Sequence, residues 1–436
     1  MIINRRSSIF VFSLFLILSI LPSQSFAKIF IDINAPSVRK FNVALPDFKN
    51  NTPQNQYQEM ASALPEVLSS DLDLSGYFSP IDKEAFLEED PSALTLETIR
   101  FKDWSVIGSE LLVKGSYTCI GNSLEVEIRL FDVFWGKQIL GKRLLGDRKN
   151  FRRLMHRLGN EIIRKLTGYE GVCLTKLAFV GNSTGHKEIY VSDYDGHNTD
   201  RITDDGSIAL LPRWSPDGKR LLFNSYKGGG GPMLYMKTFS SNSEKLISSR
   251  KGLNIGACWS PDGSKIALTL SPKGNQDIFI IGLKGKILDR VTNQWGIDMS
   301  PAFSPDGNRM VFVSNRSGSP QLYIFDLTSG KEERLTFEGN YNTSPAWSST
   351  NRIAFVSMNR GRFDVFTIEP DGGGLRRLTG NHGNNEDPCW SPDGRYIVYS
   401  SNREGNYHLY CMNAYGKNRR RITHMKGDQT SPSWAP

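Results

Sequence analysis

The chain has 436 residues, enough for two or three domains, of which 39% are hydrophobic and 22% charged. Its formal charge of +8 falls to +6 once Arg5 and Arg6 leave with a cleaved leader, and the cations are spread along the chain, which excludes a nucleic-acid footprint. Twenty-four Phe, 15 Tyr and 8 Trp suit an aromatic-rich β core.

The first predicted element is a secretory signal. Arg5 and Arg6 precede an apolar run over residues 9–21, broken only by Ser13 and Ser19. Ser25-Phe26-Ala27 then supplies small residues for cleavage after Ala27, so residues 1–27 are expected to be removed on export to the periplasm. The run is too short to span a membrane comfortably, and no Cys stands after it to carry a lipid. The Arg pair lacks the residues that accompany it in a twin-arginine leader.

Residues 28–170 mix strand and helix patterns and are expected to form a small α/β domain. Residues 28–33 and 41–45 read as short strands. Residues 56–74 read as a helix kinked near Pro65. Residues 111–118, 124–134 and 137–145 read as a meander of strands. Over residues 151–166, Phe151, Leu154, Met155, Leu158, Ile162, Ile163 and Leu166 share one helical face, with Arg152, Arg153, Arg157, Arg164 and Lys165 on the other. Those cations form a solvated face or an anionic contact. Thr167-Gly168 ends the helix, and residues 169–175 link this domain to the C-terminal one.

From residue 171 onward a repeat takes over. Trp-Ser-Pro-Asp-Gly stands whole at 214–218, 259–263 and 390–394, varies at Phe303 (303–307), decays at 347–351, and is cut short at Ser433-Trp434. The aromatic steps are 45, 44, 44, 43 and 44 residues. A period in the forties with several strand-like runs per repeat marks a β-propeller. Each period carries an apolar run behind a basic residue, an aromatic strand (Tyr235, Phe279, Tyr323, Phe366, Tyr410), and a short basic-apolar-hydroxyl strand such as Arg290-Val-Thr292. Residues 176–179, 188–190 and 201–203 are strands two to four of a blade with no first strand, and residues 431–434 are a first strand with no blade. Joining them gives a six-bladed β-propeller over 171–436, closed by the C-terminal strand. The pentapeptide reads as the turn between strands one and two, with Pro, Asp and Gly at the positions that turn favours.

Five Cys leave at least one free thiol. Cys258 and Cys389 precede the repeat Trp, where Ala302 and Ala346 stand in other copies, and read as small core residues three blades apart.

Little in the chain points to chemistry. Gly-x-Ser-x-Gly at 181–185 is succeeded by a strand pattern, whereas a nucleophile elbow needs a helix there. Asp193-Tyr-Asp195-Gly196 lacks the rest of a calcium loop, and the six His show no ligand spacing. Gly228–Gly231 has neither the Lys-Ser/Thr nor the helix of a phosphate cradle. Asp298, Glu338, Glu386, Asp387 and Asp428 approach the propeller channel without matching His, so no metal, cofactor or catalytic residue is assigned. The irregular loops are the better candidates: residues 250–256, 293–300, 337–343, 381–387 and 424–430, with Asn315-Arg316, Asn359-Arg360 and Asn402-Arg403 adding cations around the same rim.

The leader, the α/β domain, the six blades and three stretches outside the repeat (residues 71–82, 103–117 and 192–196) resemble the TolB family of the Tol–Pal envelope system, over essentially the whole chain. The resemblance implies a non-enzymatic, monomeric periplasmic adaptor that maintains the outer membrane and supports envelope constriction in division. It implies that the lipoprotein Pal binds one propeller face at Leu253, Gly256, Asp298, Met299, Asn342 and Glu386. It further implies that TolA binds the mature N-terminal arm, Lys28, Ile29, Phe30, Ile31, Asp32, Ile33 and Asn34. An alternating strand at a free terminus suits addition to a partner's sheet edge. Asn34-Ala-Pro36 stands where the family has a Gly-containing segment. Other outer-membrane or peptidoglycan-associated partners fit the same reading. The alternatives are a propeller hydrolase or metal-dependent enzyme, and a glycan binder.

Overall fold

The computed structural model describes residues 39–436 except 88, 89 and 381; the leader and the arm Lys28–Asn34 lie outside the described residues. The N-terminal domain runs β1 (Phe41–Ala44), β2 (Lys49–Asn50), α1 (Met60–Ser75), β3 (Phe78–Pro80), α2 (Phe101–Val106), β4 (Leu111–Ile120), β5 (Ser123–Asp132), β6 (Lys137–Asp147) and α3 (Phe151–Thr167). Its sheet has the order β3-β1-β4-β5-β6, with β2 beside β4. β1 is parallel to β3 and β4, and β4 to β6 form the antiparallel meander the sequence suggests.

The helix expected over 56–74 starts four residues later, at Met60. Gln54, Asn55 and Tyr57 adopt positive φ, which an α-helix cannot use. Pro65 sits inside α1 and cannot donate to the carbonyl of Ala61. The Phe48 amide donates to that carbonyl instead, at 2.9 Å. The orphan acceptor thus ties α1 to the residue that precedes β2. Leu64, Leu68 and Leu72 of α1 pack with Leu154, Leu158, Ile162 and Leu166 of α3 over one sheet face. The short α2 has no counterpart among the sequence expectations, because its six residues are too few to show a helical period; its Trp104 is fully buried in a second small core with Leu112 and Phe131.

The propeller has six four-stranded sheets, and the last is ordered Gln429–Trp434, Lys176–Gly181, Glu188–Asp193, Asp200–Arg201. The C-terminal strand therefore closes the ring against three early strands, as the orphan segments imply. The pentapeptide forms the turn between strands one and two. In all four copies that keep Ser-Pro-Asp-Gly the Gly amide donates to the Ser carbonyl at 2.9 Å (Gly218–Ser215, Gly263–Ser260, Gly307–Ser304, Gly394–Ser391). The Ser hydroxyl does more than the motif suggests. It donates to the turn Asp at 2.5 Å and accepts, at 2.9 Å, the amide that opens strand two. The decayed copy survives because Asn351 tolerates the left-handed position, φ 61°.

Blades are joined by the Trp and by the basic residue of strand two. The Trp259 and Trp390 indoles donate to Arg213 O and Ala346 O of the preceding blade, at 3.1 and 3.0 Å. Arg220 and Arg309 lie 4.8 and 5.2 Å over Trp259 and Trp347 of the next blade.

The recurring hydroxyl lies just beyond strand four rather than within it. Thr203, Thr292, Thr336, Thr379 and Thr423 each accept the backbone amide of strand three at 2.9 Å. Thr292→Val would leave the buried Ile278 amide without that acceptor and is expected to cost about 1–3 kcal/mol, read as a lower urea midpoint.

All five cysteines are free. Cys258 and Cys389 are half-buried on the first strands of their blades, and the Arg213 guanidinium acts to lower both thiols. Burial nevertheless dominates and pushes the Cys258 thiol up to about 12.

Candidate partner-binding face

Strands alternate in direction, so loops joining strand four to the next strand one share a face with loops joining strands two and three. The pentapeptide turns lie on the opposite face. The first residue of every strand one is buried: Ala209, Asn254, Asp298, Asn342, Asn385 and Gln429. Most of these side chains turn back to hold the loop before them. Asn254 donates to Arg250 O and Gly252 O at 2.7 and 3.1 Å, Asn342 donates to Glu338 O at 2.8 Å, and Gln429 donates to Gly427 O at 2.7 Å.

Asp298 instead takes Arg316 Nη2 on both oxygens at 2.9 Å, and Arg316 also pairs with Glu332. A Cβ on Gly296 would fall 3.4 Å from the Arg316 backbone, so the cation of this pair stands beside the loop that carries Trp295.

The same loops are pinned from strand two. Ser271 Oγ, Asn315 Oδ1, Asn402 Oδ1 and Asn182 Oδ1 accept the amides of Leu253, Ile297, Asn384 and Asp428 at 2.6–2.8 Å. Strand one also carries a bulge in every blade, where Leu211, Gly256, Ser300, Ser344, Asp387 and Ser431 have φ of 50–63°. Pro comes next in five of the six, where the irregular ladder asks for no amide. The loops are therefore held in place before any partner arrives.

These contacts revise several sequence expectations. Asp298 and Asn342, expected to touch a partner, are both 0% exposed and serve to position loops. Arg316 and Arg403 are not free rim cations: Arg316 is ion-paired inward, and Arg403 donates to Asn385 Oδ1, Tyr399 Oη and Ser401 Oγ. Gly256 fills the bulge position that Leu, Ser or Asp fills elsewhere, and a Cβ there would meet only ordinary contacts, from 3.7 Å. Leu253, Met299 and Glu386 are half-buried on this side. Glu386 accepts the Tyr407 hydroxyl at 2.5 Å; burial raises its carboxyl, and burial together with Glu386 pushes Tyr407 up to about 12.

Sequence reasoning missed the side chains that this face does expose. Trp295 is 72% and Phe337 74% exposed, with Ile297 and Tyr341 close to them in sequence and Ile208 and Tyr226 exposed on the same side of another blade. Among the described residues, none of the exposed large apolar side chains of the propeller lies in a pentapeptide turn; Leu375, in a loop between strands three and four, is 39% exposed on that opposite side. Their only sequence signal is an apolar residue inside a polar, Gly-containing loop, as in Asn-Gln-Trp295-Gly. The Gly181–Gly185 segment, by contrast, is a hairpin between two strands, with Ser183 Oγ 3.0 Å from Tyr190 Oη.

A family model described as the TolB β-propeller domain matches residues 163–436, and one described as the TolB amino-terminal domain matches residues 29–139. This chain belongs to the TolB family. The Tol-Pal system protein TolB of Desulfosudis oleivorans is 41% identical over 277 residues, which is 63% of this chain and 63% of that protein. The Tol-Pal system protein TolB of Syntrophotalea carbinolica is 40% identical over 164 residues, 37% of this chain and 38% of its own length. The chain thus aligns with less than two thirds of either relative. The crystal structure of TolB from Acinetobacter baumannii superposes with a TM-score of 0.80 at 27% identity, over 94% of this chain and 100% of that one. TolB-family membership accounts for the pairing of an α/β domain with a six-bladed propeller. Among the described residues, no helix of this family member is long and apolar enough to cross a membrane.

Proposed function

We propose that this chain is a non-enzymatic periplasmic adaptor of the Tol–Pal system, exported by the leader 1–27. It binds the lipoprotein Pal on the loop face of the propeller, and TolA through Lys28–Asn34. In this way it links outer-membrane integrity to envelope constriction. The observation that carries the reading is the pinned loop face with Trp295 and Phe337 standing out of it. Exposed aromatics on a pre-organised surface are typical binding anchors. Leu253, Gly256, Met299 and Glu386 line the same side and complete the contact, while Asp298 and Asn342 act from beneath.

Site-specific photo-crosslinking tests the choice of face. A photoreactive residue at position 295 or 337 should capture Pal, and one at Asp262, in a pentapeptide turn of the opposite face, should not. Capture from 262 alone would overturn the assignment.

A further inference from the structure

We propose that the contact between the N-terminal domain and the propeller is a protonation-dependent latch, with His156 of α3 as its titrating group, set between Asp71 of α1 and Asp195 of the propeller. Asp71 and His156 meet between α1 and α3 within the N-terminal domain, and Asp195 reaches them across the domain boundary. His156 is 2% exposed, and its Nδ1 lies 2.9 and 3.0 Å from the two Asp71 oxygens. From the propeller, the buried Tyr194 hydroxyl donates to Asp71 Oδ1 at 2.7 Å. His156 Nε2 has no hydrogen-bond partner and points toward Asp195 Oδ2, 3.7 Å away. Arg152, one turn before His156 on α3, donates to that same Asp195 oxygen at 2.5 Å. Gly159 leaves the space for Asp71 to lie against α3, since a Cβ there would fall 2.8 Å from Asp71 Oδ2.

Charge balance makes this cluster a proton-holding one. It encloses two carboxylates and one guanidinium, so a single proton on the Asp71–His156 pair makes it neutral. Losing that proton leaves a net negative charge buried at the boundary, which is costly. The same balance argues against a cation site, because Arg152 already neutralises Asp195. The other titratable groups packed around His156 do not compete for the role. Burial pushes Tyr194 and Cys173 up, keeping both neutral. His197 also faces Asp195, at 3.4 Å, but its side chain is 56% exposed.

Linkage sets the sign. Although burial alone would lower it, His156 is held above its ordinary value by Asp71 and Asp195. Its contribution to docking is therefore fully present below about pH 6.5 and lost as pH rises through the raised value. Asp195, which burial would raise, is instead held well below the carboxylate range by His197, Arg152 and His156, so its contribution is lost only in strong acid.

Hydrogen exchange on the full mature chain reads the latch directly. After correction for intrinsic rates, protection of peptides covering 71–77, 156–173 and 190–197 should fall by up to about tenfold per pH unit above about 6.5, while blades two to four stay unchanged. His156→Gln should lower that protection at about pH 6 and remove the pH slope, and His197→Ala should keep it. A flat parent profile, or a slope lost in His197→Ala, would overturn the proposal. Should His156→Gln not fold, NMR titration of histidine-labelled parent protein decides: a His156 midpoint above about 6.5 supports the latch, and one at or below that value refutes it.

Discussion

Trp295→Ala is expected to weaken Pal binding by about 30-fold or more, with no loss of thermal stability. The figure corresponds to about 2 kcal/mol, the threshold for an interface hot spot, and Trp is the residue most enriched at such positions. The stability half of the expectation rests on exposure: with 72% of its surface in solvent, Trp295 contributes little to the core. The affinity half rests on the loop. Ile297 N–H is held on Asn315 Oδ1 at 2.7 Å, Asn275 donates to Gln294 O at 3.0 Å, and a Cβ on Gly296 would meet Asn315 at 2.8 Å. A rigid loop presents its aromatic at low entropic cost on binding. Phe337, with the Arg334 guanidinium 4.9 Å over its ring, is the second anchor and should show a smaller loss. Trp135, 56% exposed on the N-terminal domain, is the control and should have no effect on Pal. Isothermal titration with purified Pal measures all three.

Asp298→Ala should act in the other way, through stability first. It removes a fully buried carboxylate and leaves Arg316, 15% exposed, with only Glu332 as an ionic partner. Breaking a buried pair from one side costs about 3–5 kcal/mol. Glu332 places this case at the lower end, about 3 kcal/mol, or roughly 6–12 °C in melting temperature. Blade five provides the conservative comparison, since there Arg403 Nη2 donates to Asn385 Oδ1 at 2.9 Å. Asp298→Asn should therefore melt much closer to the parent. Pal affinity should fall further in Asp298→Ala than in Asp298→Asn, because the backbone of Arg316 lies against Gly296 in the loop of Trp295.

These two residues also show what a sequence can and cannot disclose. The blades are legible because Trp, Pro, Asp and Gly recur at a fixed step and each has a local job in one turn. Blade closure is legible because an unpaired first strand and three unpaired later ones can only complete each other. Asp298 stands out as an acid near the channel, but nothing local tells whether it faces a partner or Arg316 beneath the surface. Trp295 and Phe337 escape notice because an anchor in an irregular loop has no period. The α1 start is hidden because positive φ at Gln54, Asn55 and Tyr57 obeys no composition rule. The Asp71–His156–Asp195 cluster is invisible for a further reason: helix packing joins Asp71 to His156 and domain docking adds Asp195, and each alone looks like an ordinary surface residue.

Two partners on two separate parts of the chain is the central claim, and paired titrations test it most directly. The mature protein, Trp295→Ala and a variant lacking residues 28–34 would each be titrated with Pal and with TolA. Trp295→Ala should lose Pal affinity and keep TolA, and the arm deletion should lose TolA and keep Pal. If Pal binding favours a docked arm and TolA a free one, each partner should also weaken the other by the same factor in the mature protein. Undiminished TolA binding without residues 28–34, together with undiminished Pal binding in Trp295→Ala, would contradict the two-site adaptor.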